Sequence, residues 1–233
     1  MIYLFDLYDT VLKDVSFDFQ RGMRYLYDNY FSHHCTWEEF QEYENTFYPL
    51  YEQRKLDHRE VMLIRDEVLP IFTHFGVAAP PALDELEFQI MDHMQENELL
   101  PAVEETLARL HASGCPLYIL SNAVFSAGAA GRYLERFGIK KYFKRIYSSA
   151  DHGTRKPGRN FFDLAVGEIL AENPGVCRED ILFMGNDYAM DAVGGVMAGL
   201  NTVWYNVNHL TNTDGLPVRE IDDFRKLLEE KNA

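Results

Sequence analysis

The sequence predicts an α/β fold, a doubly wound parallel sheet of Rossmann type carrying an all-helical cap domain. Three features predict it. A short apolar run at residues 2–5 stops abruptly at Asp6; helical spacing of apolar residues then holds from about residue 15 to 95; and from Leu100 onward strand-like and helix-like segments alternate.

Residues 2–5, Ile-Tyr-Leu-Phe, read as a buried strand with the Asp6 carboxylate at its carboxyl tip. Open α/β sheets place their ligands at that edge. Helical segments are expected near 17–31, 36–54, 58–75 and 82–95, punctuated by Gly76 and Pro80-Pro81. A helix at 102–113 should stop at Gly114, a strand at 117–120 should run into Ser121, a helix at 126–137 should stop at Gly138, and a strand should follow at 145–148. After Pro157 a helix is expected to about Glu172, then a strand at 181–184, a helix at 190–198 and a strand at 202–205. Such alternation requires right-handed crossovers and gives a parallel sheet with helices on both faces. The first strand cannot bury itself alone and must join this later sheet. The core is therefore expected at 1–14 and 96–233, with residues 15–95 inserted as a cap over its carboxyl edge.

A chain of 233 residues can bury a sizeable core without staples. Cys35, Cys115 and Cys177 are odd in number and show no CxxC spacing, which argues against a disulfide framework or a zinc ribbon and fits a reducing cytoplasm. No basic segment followed by a long apolar run opens the chain, and no stretch approaches the ~20 apolar residues of a membrane span, so neither export nor insertion is expected. A net charge of −15 repels a phosphate backbone and argues against nucleic acid as a partner. An anionic small-molecule substrate remains compatible, provided that a local cation opposes the global field.

The segment Asp6-Leu-Tyr-Asp-Thr10, placed directly after an apolar strand, resembles the first motif of the haloacid dehalogenase-like (HAD) superfamily, usually Asp-x-Asp-x-Thr/Val. Three further matches follow in order: Ser121-Asn122 after the second core strand, Lys156-Pro157 before a helix, and Gly185-Asn-Asp-Tyr-Ala-Met-Asp191 after a later strand. They span most of the chain, and the helical insert lies between the first and second motifs, where many members carry their cap. Chance would have to satisfy both residue type and place.

The resemblance implies a hydrolase in which Asp6 is the covalent nucleophile, a carboxylate being able to attack phosphorus or an activated carbon. Thr10 and Ser121, with Asn122 beside it, would hydrogen-bond the transferring oxygens or Asp6. Lys156 would offset the negative charge of nucleophile and intermediate, with Arg155 as its competitor. In family phosphatases the first and last motifs hold Mg²⁺, a hard cation that takes oxygen ligands. The corresponding ligands here would be Asp6, the backbone carbonyl of Tyr8, Asn186, and Asp187 or Asp191. Asp191 also has a plainer reading as a helix cap.

Two positions depart from the family. Tyr8 stands where family phosphatases carry the second Asp, which protonates the leaving group and later activates water; a phenol with a pKa near ~10 donates a proton but is a poor base. Asn186 stands where many carry a metal-binding Asp. Tyr8 instead resembles the metal-free 2-haloacid dehalogenase branch, Asp-x-Tyr-Gly-Thr. That likeness frays at Asp9 in place of Gly, at Phe162 in place of Tyr, and at Asp187 beside Asp191. Carboxylates clustered with Asp6 would repel one another unless a cation or Lys156 offsets them, which tips the expectation towards a metal-dependent site.

The leading expectation is a Mg²⁺-dependent phosphomonoesterase acting on a small phosphorylated metabolite through a phospho-Asp6 intermediate. The alternatives are a metal-free dehalogenase-type hydrolase and a catalytically weak domain that binds a ligand or partner. Two weaker candidates remain. Arg54 would reach an anionic substrate or complement its helix dipole, and His33-His34-Cys35 looks like a soft-metal cluster, although neighbours on a helix point apart.

Overall fold

The computed structural model describes residues 1–232. Its strands are β1 (Ile2–Phe5), β2 (Leu12–Phe17), β3 (Gln95–Leu99), β4 (Leu117–Ser121), β5 (Arg145–Ser148), β6 (Ile181–Gly185), β7 (Asn201–Tyr205) and β8 (Arg219–Ile221). Six of them form one sheet in the order β5-β4-β1-β6-β7-β8, and every pairing in it is parallel. β1 thus lies at the centre, where the chain order reverses between β4 on one side and β6 on the other.

The sequence of β1 explains that place. Tyr3 and Phe5 face one apolar cluster and Ile2 and Leu4 the other, all four at most 5% exposed. Period-two alternation with both faces apolar is the requirement of a central strand covered by helices on each side. Full burial of each such side chain contributes about 1.5–3 kcal/mol. The core helices are α6 (Val103–Ala112), α7 (Ala127–Arg136), α8 (Ser149–His152), α9 (Arg159–Glu172) and α10 (Gly194–Met197). α10 approaches the sheet closely, since a Cβ on Gly195 would lie 2.8 Å from Phe183 Cδ1.

Between β2 and β3 come the cap helices α1 (Phe19–Leu26), α2 (Trp37–Glu44), α3 (Tyr48–Leu56), α4 (Leu69–His74) and α5 (Leu83–Met94), with wider helical turns at Tyr27–Phe31 and Ile64–Val68. α2 starts at a reciprocal cap in which Thr36 Oγ1 accepts from Glu39 N–H at 3.2 Å and the Glu39 carboxylate accepts from Thr36 N–H at 2.8 Å. The aromatics of this lobe pack on one another, as when the Phe31 ring lies 4.8 Å from Phe72 and Trp37 stacks 5.5 Å from Phe40.

The structure departs from the sequence-based expectation in three places. β2 and β3 form an antiparallel ribbon through which the chain enters and leaves the helical lobe, so the insert is not bounded by helices alone. Val15 and Phe17 in β2 are 51% and 55% exposed, and without a buried face the ribbon shows neither strict alternation nor an apolar run. Residues 58–62 are a turn and loop and not the start of a helix. β8 was not expected either; it has three residues, of which only Ile221 is buried. No helix among the described residues is long and apolar enough to cross a membrane.

Candidate active site

The sheet ladder carries Asp6 to the carboxyl edge, because its N–H still donates to Met184 O at 2.8 Å although β1 has ended. The chain then turns sharply, with Val11 and Leu12 N–H both donating to Leu7 O at 2.9 Å. Asp9 takes φ 53° in this turn, a left-handed conformation that suits Gly best and that Asp tolerates better than most side chains. The turn brings Thr10 back to the strand tip. Its Oγ1 lies 3.0 Å from Asp6 Oδ2 and 3.1 Å from Asn186 Oδ1, and a single hydroxyl proton satisfies only one of the two.

Lys156 is 2% exposed and reaches the same point, its Nζ donating to Asp6 Oδ1 at 2.5 Å and to Asp191 Oδ1 at 2.7 Å. Burial alone would lower the ammonium pKa, but the charges of Asp191 and Asp6 outweigh it and hold the group above its usual value. Burial pushes Asp191 in the opposite sense, up from the ordinary carboxylate range, against the pull of Lys156 and with the help of Asp6. The competitor Arg155 turns elsewhere, its guanidinium 3.5 Å from Glu60.

The last motif closes the site from β6. Gly185 is required there, as a Cβ would fall 2.3 Å from Asp191 Cγ. Asp187 accepts from Met190 N–H at 2.7 Å and caps the helical turn Tyr188–Val193, while its own N–H donates to Asp191 Oδ2 at 3.0 Å. Both oxygens of Asp191 are therefore committed, one to Lys156 and one to that backbone. Among the described residues no group of three or more His, Cys, Asp or Glu side chains is placed to hold a metal ion. That statement includes Asp6, Asp187 and Asp191 as well as His33, His34 and Cys35.

On the other side, β4 ends at Ser121, which is 1% exposed and whose Oγ has no hydrogen-bond partner among the described residues. Asn122 makes a reciprocal pair with the Lys156 backbone, donating to its O at 3.0 Å and accepting from its N–H at 2.8 Å. Asn122 thereby fixes the loop that presents the lysine.

Tyr8, Asn122, Asp14, Lys55, Glu60 and Arg155 line a cavity of about 300 Å³ between core and cap. A second cavity of about 490 Å³, walled by Phe17, Phe19, Tyr48, Tyr51, Gln20 and Glu44, shares Phe17, Lys55 and Val124 with the first. Asp6 is 7% exposed and is not among the residues that line either cavity. Burial pushes the Tyr8 phenol well above its usual pKa. The cap is drawn down on the core: Leu63 N–H donates to Val124 O at 2.9 Å, Ser149 Oγ to Glu60 Oε2 at 3.0 Å, and Ser126 Oγ to Glu87 Oε2 at 2.6 Å.

Arg54 does not reach the cavities, because Asp66 holds it at 2.8 Å and the Glu60 carbonyl at 3.3 Å. Its neighbour Lys55 lines both cavities instead. Phe162 is fully buried on the far face of the sheet, 5.1 Å from Phe183, and is part of the core. Sequence reasoning passed over Asp14, the last residue of the first core segment it assigned, and Glu60, in the first turn of an expected helix.

A family model described as haloacid dehalogenase-like hydrolase matches residues 1–199. The pyrimidine 5'-nucleotidase PynA of Streptococcus pneumoniae is 27% identical over 199 residues, covering 82% of this chain and 80% of that one. Among solved structures, a 2-haloacid dehalogenase from Pseudomonas syringae superposes with a TM-score of 0.70 at 23% identity, covering 98% of this chain and 97% of that one. The putative HAD-hydrolase YfnB from Bacillus subtilis, solved bound to magnesium, superposes with a TM-score of 0.59 at 21% identity over 100% of this chain and 98% of that one. These two structures share the fold.

Proposed function

The chain belongs to the haloacid dehalogenase-like hydrolases, and from that premise we propose that it hydrolyses phosphate monoesters of small metabolites through a phospho-Asp6 intermediate. One observation carries the reading: the buried Asp6–Lys156 contact at 2.5 Å beside the unpaired, buried Ser121 hydroxyl. A buried hydroxyl without a partner costs about 1–3 kcal/mol, and a phosphoryl oxygen seated at the tip of β4 would remove that cost. Lys156 neutralises Asp6 before attack and the phosphoryl oxygens after it, in surroundings that exclude water. Thr10 orients the Asp6 carboxylate so that one oxygen meets phosphorus.

The donors around Thr10 are oxygens of the kind a hard cation takes. Mg²⁺ would be held by Asp6, the Asn186 side-chain carbonyl and the Tyr8 main-chain carbonyl, and it would supply charge stabilisation to the phosphoryl oxygens. Asp187 and Asp191 are the weaker ligand candidates, because their hydrogen bonds to the backbone and to Lys156 already engage them. With one carboxylate in the set, the expected affinity for the ion is low. The magnesium in the YfnB structure supports this reading.

The leaving group would extend into the two joined cavities, whose aromatic walls and Gln20 amide suit a flat, hydrogen-bonding ring. The activity named for PynA points the same way, and nucleoside 5'-monophosphates therefore head the substrate panel. Phosphate release from such a panel is expected with Mg²⁺ and not with chelator. Silence across nucleotides, sugar phosphates and phosphorylated acids, with metal present, would remove the proposal.

Tyr8 supports a second reading, a dehalogenase-type attack of Asp6 on carbon. Halide release from short 2-haloacids, insensitive to chelator, would put it first.

A further inference from the structure

Two-step hydrolysis through an aspartyl phosphate requires a group that gives a proton to the departing oxygen and then takes one from water. Tyr8 occupies the expected place, but a phenol, whose ordinary pKa is ~10, is a poor base near neutrality. We infer that Asp14, on β2 and six residues beyond Tyr8, is the acid–base carboxyl of this site, an assignment that rests on the phosphomonoesterase reading.

The geometry selects Asp14 among the carboxyl groups near Asp6. Only Asp14 and Glu60 line the cavity that reaches Tyr8 and Asn122. Glu60 is consumed by structure: its Oε1 accepts from Val61 N–H at 3.1 Å, its Oε2 from Ser149 Oγ at 3.0 Å, and Arg155 lies 3.5 Å away. Asp9 accepts from Asp14 N–H at 3.1 Å, which ties it to the turn. Asp187 caps a helical turn and Asp191 holds Lys156. Asp14 has a single side-chain donor among the described residues, the Asn97 amide on Oδ1, and its Oδ2 has none.

The ribbon is built to present this side chain. Asp14 pairs with Asn97 across β2 and β3, and the register shifts between Asp14 and Ser16. Such a bulge re-aims the side chains beside it and recurs next to active sites. Asp14 feels the charge of Asp6 and in turn influences Tyr8. Although Asp14 sits on an exposed stretch of β2, partial desolvation first and the neighbouring Asp9 second push its pKa upward, towards the protonated form needed to begin the cycle. Because β2 is also the cap's point of attachment, the same ribbon positions both the lobe and the proton donor.

The proposed cycle balances as follows. An Asp6 oxygen bonds to phosphorus, the ester P–O bond breaks, and its electron pair takes the Asp14 proton, releasing an alcohol. Water then attacks phosphorus, its proton passes to the Asp14 carboxylate, the Asp6–phosphorus bond breaks, and inorganic phosphate leaves with both carboxyl groups restored.

Asp14→Asn keeps the side-chain shape and the exposed strand. Its turnover of a nucleoside monophosphate, an alkyl ester that needs a protonated leaving group, should fall on the order of 100-fold or more. With p-nitrophenyl phosphate the phenolate leaves unaided, so Asp14→Asn should release about one equivalent of p-nitrophenol in a burst and then stall as an acyl phosphate on Asp6, detectable by mass. A loss of less than about threefold on the alkyl ester, or an equal loss on both substrates without a burst, overturns the assignment. A wild-type protein inactive on both substrates would instead refute the phosphomonoesterase reading, and the assignment with it.

Discussion

Two clusters of buried carboxyl groups lie in this molecule, one in the core and one in the cap, and they are built on opposite terms. In the core, Lys156 touches both Asp6 and Asp191, so each charge meets another of opposite sign. In the cap, Glu67 is completely buried, accepts from Tyr51 Oη at 2.5 Å, and leaves Oε1 without a partner among the described residues. No ion pair reaches Glu67 or nearby Glu44 among the described residues, and burial, aided by Glu44, pushes Glu67 up to about 8. The contrast teaches what a buried carboxyl group can be. Facing an ammonium it has a partner for its charge; left without a cation it is pushed towards the protonated form and serves as a neutral hydrogen-bonding group. The net charge of −15 therefore overstates the charge the folded protein carries near neutrality.

The largest effect should come from breaking the paired cluster. Lys156→Met retains the long aliphatic stem and deletes the ammonium, leaving Asp6 and Asp191 buried side by side. Removing one partner of a buried ion pair costs about 3–5 kcal/mol, because the remaining charge is uncompensated. Denaturant titration should show a loss of that size, and turnover should fall by a factor on the order of 1000, since in the proposed reaction the same ammonium would stabilise the transferring group. Retention of the wild-type midpoint would mean that the lysine does not answer those charges.

The cap cluster sharpens the comparison through pH. Unfolded, Glu67 ionises near its ordinary 4.5; folded, it does so near 8. Between these values the folded protein holds a proton that the unfolded chain has released, so stability falls as pH rises, by about 1.4 kcal/mol per unit at most and roughly 4–5 kcal/mol across the window. Glu67→Gln removes that titration. Its unfolding free energy should lose this part of its slope between pH 5 and 8, so that the variant gains on the wild type steadily as the medium becomes alkaline. Parallel curves for the two proteins would show that Glu67 is ionised in the fold.

What the sequence discloses follows the same division. Asp6, Ser121 and Lys156 stand out because each follows or precedes a regular element, and the sheet places strand tips at one edge whatever the distance along the chain. Asp14 and Glu60 do not stand out. Their placement depends on a ribbon that pairs Asp14 with Asn97, far along the chain, and on a loop held down by Ser149 and Arg155, contacts that leave no local pattern. Arg54 shows the converse. A cation at a helix end looks available in the sequence, yet Asp66, twelve residues later, folds back and takes it. The helical lobe was visible as periodicity, whereas the cavities beneath it are lined by residues from segments far apart in the chain and have no one-dimensional signature.

The smallest effect tests two of the unpaired buried polar atoms against each other. Ser121 Oγ and Glu67 Oε1 are both buried without partners among the described residues, but they differ in what can reach them. Glu67 is sealed inside the cap, whereas Ser121 ends β4 beside Asn122, which lines the cavity. If the Ser121 hydroxyl waits for a phosphoryl oxygen, Ser121→Ala should relieve its desolvation cost in the free protein and raise stability by about 1 kcal/mol. The same change should weaken inorganic phosphate, measured as a competitive inhibitor, by roughly tenfold, the equivalent of about 1.4 kcal/mol. The two measurements must move in opposite directions. A variant that is less stable and binds phosphate as well as the wild type would show that the hydroxyl serves the fold, and Ser121 would then belong with Glu67 as structure and not with Lys156 as chemistry.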